Sequence, residues 1–227
     1  MNILIDYLAS NIGGGKTVAQ YQLRSLLEFD KKNFYYCLVT KENNLIDKEY
    51  ENCKIIYVNY QNIFRRLTFQ LFRIPMLIYK NKINIYFTPN NYFLYFNKNV
   101  KKVVMYQDSN LFYTNYLDMN MLIQIKYFFL RTFIKISYKI SNENIFISYF
   151  MKGIKKEGKV VYLGIDRNNY SKSSFNGKKY DIALILSNLS KHKNIKKLID
   201  SIEYYQIKYK IVLKVIIIGG DININRI

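Results

Sequence analysis

Three clusters of residues have the types and spacing to do chemistry. Ser187-Asn188-Leu189-Ser190-Lys191-His192-Lys193-Asn194 follows an apolar run, Ile182 to Leu186. It precedes Ile195, Leu198, Ile199 and Ile202, one face of an amphipathic helix. A strand that ends in a small-residue turn beside a helix N-terminus makes a natural anion site. The free N–H groups and the helix dipole favour negative charge there, and a lysine adds a point charge. An ordinary strand-to-helix turn with exposed lysines has the same residues, and both readings stand.

The second cluster is Ala9-Ser10-Asn11-Ile12-Gly13-Gly14-Gly15-Lys16-Thr17, after the buried-type run Ile3-Leu4-Ile5. Three glycines between a strand and a helix let a backbone approach a ligand closely; close helix–sheet packing is their other use. Gly15-Lys16-Thr17 fits the end of a phosphate-binding P-loop, which would make Lys16 and Thr17 the centre of a nucleotide hydrolase. Ser10, however, stands where that motif begins with glycine, and the strand ends several residues earlier. The third cluster is Gln107-Asp108, closing the strand Val103-Val104-Met105-Tyr106. Ligands of open α/β sheets gather outside the carboxyl ends of the strands. Capping the turn into Ser109-Asn110 is the alternative role for Asp108.

The elements that must position these clusters alternate along the chain. Strands are expected at Met1 to Tyr7, Phe34 to Val39, Lys54 to Val58, Ile85 to Phe87, Val103 to Tyr106, Asn144 to Ile147, Lys159 to Tyr162, Ile182 to Leu186 and Val212 to Ile218. The first helix should run from Val18 to about Phe29, with Tyr21, Leu23, Leu26 and Leu27 inward. A basic aromatic helix spans Ile63 to Tyr79 and carries Arg65, Arg66 and Arg73; Pro75 should kink or end it. A long helix, Asp118 to Ile140, spaces Leu122, Ile125, Phe129, Phe133, Ile136 and Ile140 as one core stripe. Opposite it stand Arg131, Lys135 and Lys139, a face suited to anionic lipid or to plain solvation. The pattern is α/β and doubly wound.

The totals bound the function class. Of 227 residues 50% are hydrophobic and 22% charged, enough for a substantial core. Thirty-five Lys and Arg against 16 Asp and Glu give +19, which suits a polyanionic partner. Cys37 and Cys53 lack metal-ligand spacing and read as reduced thiols of a cytoplasmic protein. No signal peptide is visible, and no apolar run is long enough to span a bilayer.

The segment Leu186 to Asn194 resembles the first donor-binding segment of GT-B glycosyltransferases of the family-4 type. There a strand opens the second domain and a Lys-Asn or Lys-Gly pair begins its first helix. The lysine that binds the diphosphate of a nucleotide-sugar in that family matches Lys193. Many relatives have arginine where this chain has Asn188. The glycine loop after the first strand matches Gly14 and Gly15, which face donor phosphates and acceptor in the family. Gln107-Asp108 stands where relatives have His-Asp. Lys159 to Asp166, with Leu163-Gly164-Ile165-Asp166 at its end, is similar to the signature that closes the first domain.

The resemblance implies a GT-B type fold: a Rossmann-like doubly wound domain over 1–166, a linker over 167–179, and the start of a second Rossmann-like domain over 180–227. It implies a retaining glycosyltransferase of hexosyltransferase type, active in cell-surface polysaccharide synthesis. Gly14, Gly15, Asn188 and Lys193 would bind the donor, and Asp108 would serve the active site. No metal or other cofactor is implied; the partners are a nucleotide-sugar, a saccharide or lipid-linked acceptor and an anionic membrane surface, with no nucleic acid. A cytoplasmic protein peripheral on the inner membrane face is expected. The rival class is a basic membrane- or partner-binding module without catalysis. The residues after Tyr180 are too few for a doubly wound domain of roughly 100 residues or more. The family's glutamate pair has no match in them. The resemblance therefore implies a second domain left incomplete, little transfer by this chain alone, a poorly ordered segment after about Lys179, and activity restored by a companion polypeptide.

Overall fold

The computed structural model describes residues 1–10, 13–41, 45–46, 49–59, 63–108, 120–154, 157–164, 182–186, 195–212 and 214–218. They fall into two units, Met1–Asn169 and Tyr170–Ile227. The residues 167–179 expected to link two domains lie outside the described set.

The first unit is built on a parallel sheet. Its strands are β1 (Asn2–Asp6), β2 (Phe34–Thr40), β3 (Cys53–Val58), β4 (Ile85–Thr88), β5 (Lys101–Tyr106), β6 (Glu143–Phe146) and β7 (Lys159–Val160). Their order is β3-β2-β1-β4-β5-β6-β7, every pair parallel. The chain winds outward from β1 to β3, then returns to build from β4 to β7. This is the doubly wound, Rossmann-like arrangement, and its direction reverses between β1 and β4.

Period-two alternation splits the strand side chains between two cores. Leu4, Leu38, Tyr86, Val104, Tyr106 and Phe146 face one layer. Ile5, Tyr7, Tyr35, Cys37 and Val39 face the other. Helix α1 (Gly13–Phe29) covers the second layer with Ala19, Leu23 and Leu27 buried. It begins at Gly13 rather than Val18, so the glycines form its first turn. Cys37 and Cys53 are free thiols on neighbouring strands, their sulfurs 3.9 Å apart.

Helix α2 (Ile63–Thr68), a π turn (Phe69–Arg73) and α3 (Ile74–Lys80) follow one another directly on the first layer. Pro75 neither ends nor interrupts this run. It stands in the first turn of α3, where its missing N–H costs little, and the turn before it is widened, with the N–H of Ile74 reaching the carbonyl of Phe69. Helix α4 (Met121–Ile140) is capped by Asn120, whose side chain accepts from the Leu122 N–H at 3.0 Å. Short α5 (Tyr149–Ile154) completes the layer with buried Met151.

The expected core stripe of α4 is inside only along the second half of the helix, where Phe133 and Ile140 pack against the core and Ile136 is half-buried. Ile134 and Ser137 are its buried residues, and Leu130, Phe133 and Tyr138 pack against the core. Leu122, Ile125 and Phe129, expected inside, face solvent, Leu122 at 75% exposure. The cause is polar. The Ser137 hydroxyl accepts from the N–H of Phe93 at 3.0 Å and also lies 3.0 Å from the Phe93 carbonyl. Phe93 sits, fully buried, in the irregular stretch between β4 and β5, whose backbone groups need partners.

The second unit is described as one strand–helix–strand element. β8 (Ile182–Leu186) and β9 (Lys214–Ile218) pair in parallel, with α6 (Ile195–Tyr209) between them in sequence. Ile195 is buried and Ile199 and Ile202 are half-buried, whereas Leu198, expected on the same face, is exposed. No helix among the described residues is long and apolar enough to cross a membrane.

Candidate functional site

The carboxyl edge of the first sheet, where β1 and β4 part, holds a network of buried polar side chains. Asp6 closes β1 and is fully buried. Its Oδ1 accepts from the Leu8 N–H at 3.0 Å. Its Oδ2 accepts from Gln70 Nε2 and from the Tyr86 hydroxyl, both at 3.1 Å. A carboxyl group tolerates burial when several donors converge on it, and here they do. Gln70 comes from the π turn ahead of Pro75, and its Oε1 is buried with no hydrogen-bond partner among the described residues.

Asn90, just past β4, ties the two central strands together. Its Nδ2 donates to the Asp6 carbonyl at 2.5 Å, and its Oδ1 lies 3.3 Å from the Ser10 hydroxyl, which donates to it. Asn91 has a positive φ of 66°, a conformation asparagine tolerates better than most residues. That backbone twist turns its Oδ1 toward β5, where it accepts from the N–H groups of Gln107 at 2.8 Å and Asp108 at 3.3 Å. One dipeptide therefore fixes the ends of β1 and β5 relative to β4.

Two of the expected site clusters meet on this frame. Gly14 and Gly15 lie in the first turn of α1, beside Ser10; Asp108 lies exposed at the end of β5. The polar chain Ser10–Asn90–Asn91–Asp108 runs along the sheet edge between them. Asn188 and Lys193, the expected donor-binding residues of the second unit, lie outside the described residues.

The glycines are not required by packing. Among the described residues a Cβ on Gly14 would meet nothing within 4 Å, and one on Gly15 would make an ordinary contact at 3.9 Å with Ser10. Only Gly13, at φ +60°, occupies a conformation that favours glycine. Glycine inside a helix is less favourable than alanine by about 1 kcal/mol per residue. Gly14 and Gly15 therefore weaken the first turn of α1.

The same turn bears on the P-loop pattern. A P-loop wraps a phosphate with a wide loop ahead of its lysine. Here the helix is under way from Gly13, Lys16 is already inside it, and the Thr17 hydroxyl lies 3.4 Å from the Gly13 carbonyl of its own helix.

Behind α1, Tyr21, Gln22, Arg24 and Glu28 line a cleft of about 420 Å³, closed by Met105 and by Tyr162 of the stretch after β7. Gln22 anchors it from within, accepting from the Tyr7 hydroxyl at 3.1 Å. Burial holds the Tyr7 phenol protonated by pushing its pKa well up, so it acts as that donor throughout the physiological range. Among the described residues no three His, Cys, Asp or Glu side chains come close enough to share a metal ion.

Asp6, Gln70, Tyr86, Asn90 and Asn91 were not singled out from the sequence. Two signals point to them. A carboxylate closes the apolar run Ile3-Leu4-Ile5, and an Asn-Asn pair follows Thr88-Pro89 at a strand's carboxyl end. Gln70 carries no such signal, because the π turn that aims it is not visible in a pattern of apolar residues.

No family model matches the chain, and no curated protein matches it. Among solved structures it is similar to a glycosyltransferase from Rickettsia africae, with 16% identity over 98% of this chain and 69% of that one, at a TM-score of 0.47. A likeness at that level says nothing of this chain's chemistry.

Proposed function

We propose that the chain is a retaining glycosyltransferase of GT-B type, moving a hexosyl group from a nucleotide-diphosphate sugar to a saccharide or lipid-linked acceptor in cell-surface polysaccharide synthesis. The observation that carries this reading is the glycine turn. Gly14 and Gly15 lie in the first turn of a 17-residue helix that follows β1, beside the point where the sheet reverses, and among the described residues no neighbour requires them to lack a side chain. A glycine turn at a helix N-terminus in that place suits a phosphate-bearing ligand. The resemblance of Leu186 to Asn194 to a donor-binding segment narrows that ligand to a nucleotide-sugar.

In this reading the bond from the anomeric carbon to the diphosphate oxygen breaks as the acceptor hydroxyl oxygen bonds to that carbon on the same face, and the hydroxyl proton passes to the departing diphosphate oxygen. Backbone N–H groups of the α1 turn stabilise the charge that gathers on the departing diphosphate; Asn188 and Lys193 are donor-binding residues on the resemblance alone. Asp108 orients the acceptor hydroxyl from the end of β5. The fixed sheet edge beneath supplies positioning. The domain limits of the sequence reading, 1–166 and 180–227, are proposed on the same grounds.

Calorimetric titration with a panel of nucleotide-sugars tests it. Lys193→Ala is expected to weaken binding by roughly tenfold or more, the scale of a lost hydrogen bond to a charged group, with thermal unfolding unchanged. Gly14→Ala should raise helix stability by up to about 1 kcal/mol while binding falls, because the new methyl occupies the ligand's approach. Unaltered affinity in both variants would remove these residues from a donor site. ATP turnover abolished by Lys16→Ala would replace the reading with a nucleotide hydrolase.

A further inference from the structure

The chain's two cysteines meet on one side of the first sheet. Cys37 lies in the middle of β2, and Cys53 is the first residue of β3, the edge strand. Both belong to the layer that α1 covers, Cys37 in its core and Cys53 packed against it. In the ladder Cys53 stands opposite Tyr35, and Cys37 opposite Ile55, so the thiols face each other across a diagonal. Their sulfurs are 3.9 Å apart, within hydrogen-bonding reach for sulfur.

The two thiols have different surroundings. Cys37 is fully buried in a cluster with Tyr7 and Tyr35, where a cysteine serves as a small apolar residue. Cys53 is half-buried, so the pair has an outer member at the solvent boundary and an inner one closed off. Burial pushes the Cys37 thiol well up, and it keeps its proton through the physiological range. When Cys53 ionises, the Cys37 S–H donates to its sulfur, and that hydrogen bond lowers the Cys53 thiol. The thiolate is the nucleophile. Cys53 is therefore the attacking sulfur, and Cys37 waits behind it.

Ligand number argues against a metal as the purpose of the pair. Two thiols supply half of a four-coordinate site, and among the described residues no third His, Cys, Asp or Glu joins them.

A cross-link needs a small backbone shift, and the fold allows one. Disulfide sulfurs stand about 2.05 Å apart, with α-carbons within about 7 Å. Diagonal neighbours in a ladder are about 7–8 Å apart. The start of β3 can close that gap, because an edge strand is paired on one side only. Cys37 stays fixed between β1 and β3. The segment that moves is tied to the exit of α1. The Cys53 N–H donates to the Tyr50 carbonyl at 3.1 Å, and Asn52 Nδ2 donates to the Asp30 carbonyl at 2.8 Å. Closing the pair therefore pulls on the turn after α1.

We propose that Cys53 and Cys37 form a two-thiol site that a peroxide converts reversibly to a disulfide. The Cys53 thiolate attacks one oxygen of hydrogen peroxide, and the O–O bond breaks. Cys53 becomes a sulfenic acid, and the departing hydroxide takes a proton from solvent. The Cys37 sulfur then attacks the Cys53 sulfur, whose S–O bond breaks as the S–S bond forms. The hydroxyl leaves with the Cys37 proton as water. The two sulfurs have lost two electrons, and the peroxide has become two waters. This site does not depend on the sugar-transfer reading.

The reduced full chain is to be treated with hydrogen peroxide, digested and mapped by mass spectrometry. A linked Cys37–Cys53 peptide within one chain is expected, returning to free thiols with dithiothreitol. In Cys37→Ser the reaction should stop at the Cys53 sulfenic acid, which dimedone captures. In Cys53→Ser capture at Cys37 should be at least roughly tenfold slower, because a closed thiol reacts only on local opening. The parent supplies a second measurement that needs no variant: iodoacetamide should alkylate native Cys53 at least roughly tenfold faster than Cys37. Thiols that both survive peroxide would overturn the proposal, as would a cross-link between two chains in place of the internal one. Equal alkylation of both thiols in the parent would overturn it too. So would a parent in which Cys53 passes on to sulfinic acid while Cys37 stays reduced.

Discussion

Helices α1 and α4 flank the same sheet from opposite sides, and only one of them obeys its own apolar pattern along its whole length. In α1 the expected residues Leu23 and Leu27 are buried, and Tyr21 and Leu26 are half-buried. Its remaining faces carry Gln20, Gln22, Arg24, Ser25 and Glu28, so a single rotation satisfies the hydrophobic effect. In α4 apolar residues surround the axis, and periodicity alone offers two stripes. The one chosen is centred on Ile134 and Ser137, although a serine is the poorer core residue by transfer free energy. What decides is a partner for buried backbone: without Ser137, the N–H of Phe93 would be left unpaired inside the core. An unmade buried hydrogen bond costs about 1–3 kcal/mol, as much as leaving a leucine in water.

The largest effects that could break this comparison come from core truncation. Leu23→Ala in α1 and Ile134→Ala in α4 should each cost about 2–5 kcal/mol in denaturant unfolding. Phe129→Ala and Leu122→Ala, in the exposed first half of α4, should change stability by less than about 0.5 kcal/mol. If Phe129→Ala costs as much as Ile134→Ala, the expected stripe is inside along the whole of α4.

The same contrast explains what was legible in the sequence. Strands β1, β2, β4, β5 and β8 were readable as apolar runs bounded by turn residues, because a strand buried on both sides must be apolar throughout. The alternation of strands and helices carried the winding of the sheet. Gly14, Gly15 and Asp108 were readable as site candidates because they end strands or begin helices. The frame beneath them was not. Asp6, Asn90 and Asn91 act through contacts 84 or fewer residues apart that no local window contains, such as the Asn90 bond to the Asp6 carbonyl. Pro75 was read as a break because a helix interior rejects proline; a widened turn ahead of it removes the conflict, and periodicity cannot register a widened turn. Leu198 was misplaced for the reason the first half of α4 was: apolar residues at helical spacing state which faces could be inside, not which one is.

A sharper test of the polar decision is Ser137→Ala. The substitution removes little volume and improves helix propensity, so a purely apolar account predicts no loss. Loss of the hydroxyl leaves the Phe93 N–H without its partner, and destabilisation by about 1–3 kcal/mol is expected. Hydrogen exchange at the Phe93 amide should quicken by more than the global loss explains, because the opening is local. Unchanged exchange at that amide would return the choice of rotation to packing.

The smallest expected effect separates the two helices at their exits. Helix α1 leaves through Asp30, whose Oδ2 accepts from the Tyr35 hydroxyl and from Asn33 Nδ2, both at 2.6 Å. Its Oδ1 accepts from the N–H groups of Lys32 at 3.0 Å and Asn33 at 3.2 Å. Those bonds, the Tyr35 hydroxyl foremost, lower the Asp30 pKa to about 2. Helix α4 leaves through neutral groups instead, the Ser141 hydroxyl donating to Asn144 Oδ1 at 2.8 Å. Because the folded-state value of Asp30 is below its ordinary value of about 3.9, the carboxylate's contribution is present in full above that value. It is lost as the pH falls through about 2. Between those limits the unfolded chain binds the proton more readily than the folded one, so stability declines on acidification. Asp30→Asn should flatten that decline, and Ser141→Ala should leave it untouched. Denaturant midpoints between about pH 5 and pH 2 measure both. An acid slope that Asp30→Asn does not reduce would show that the α1 exit is no more sensitive to protons than the α4 exit.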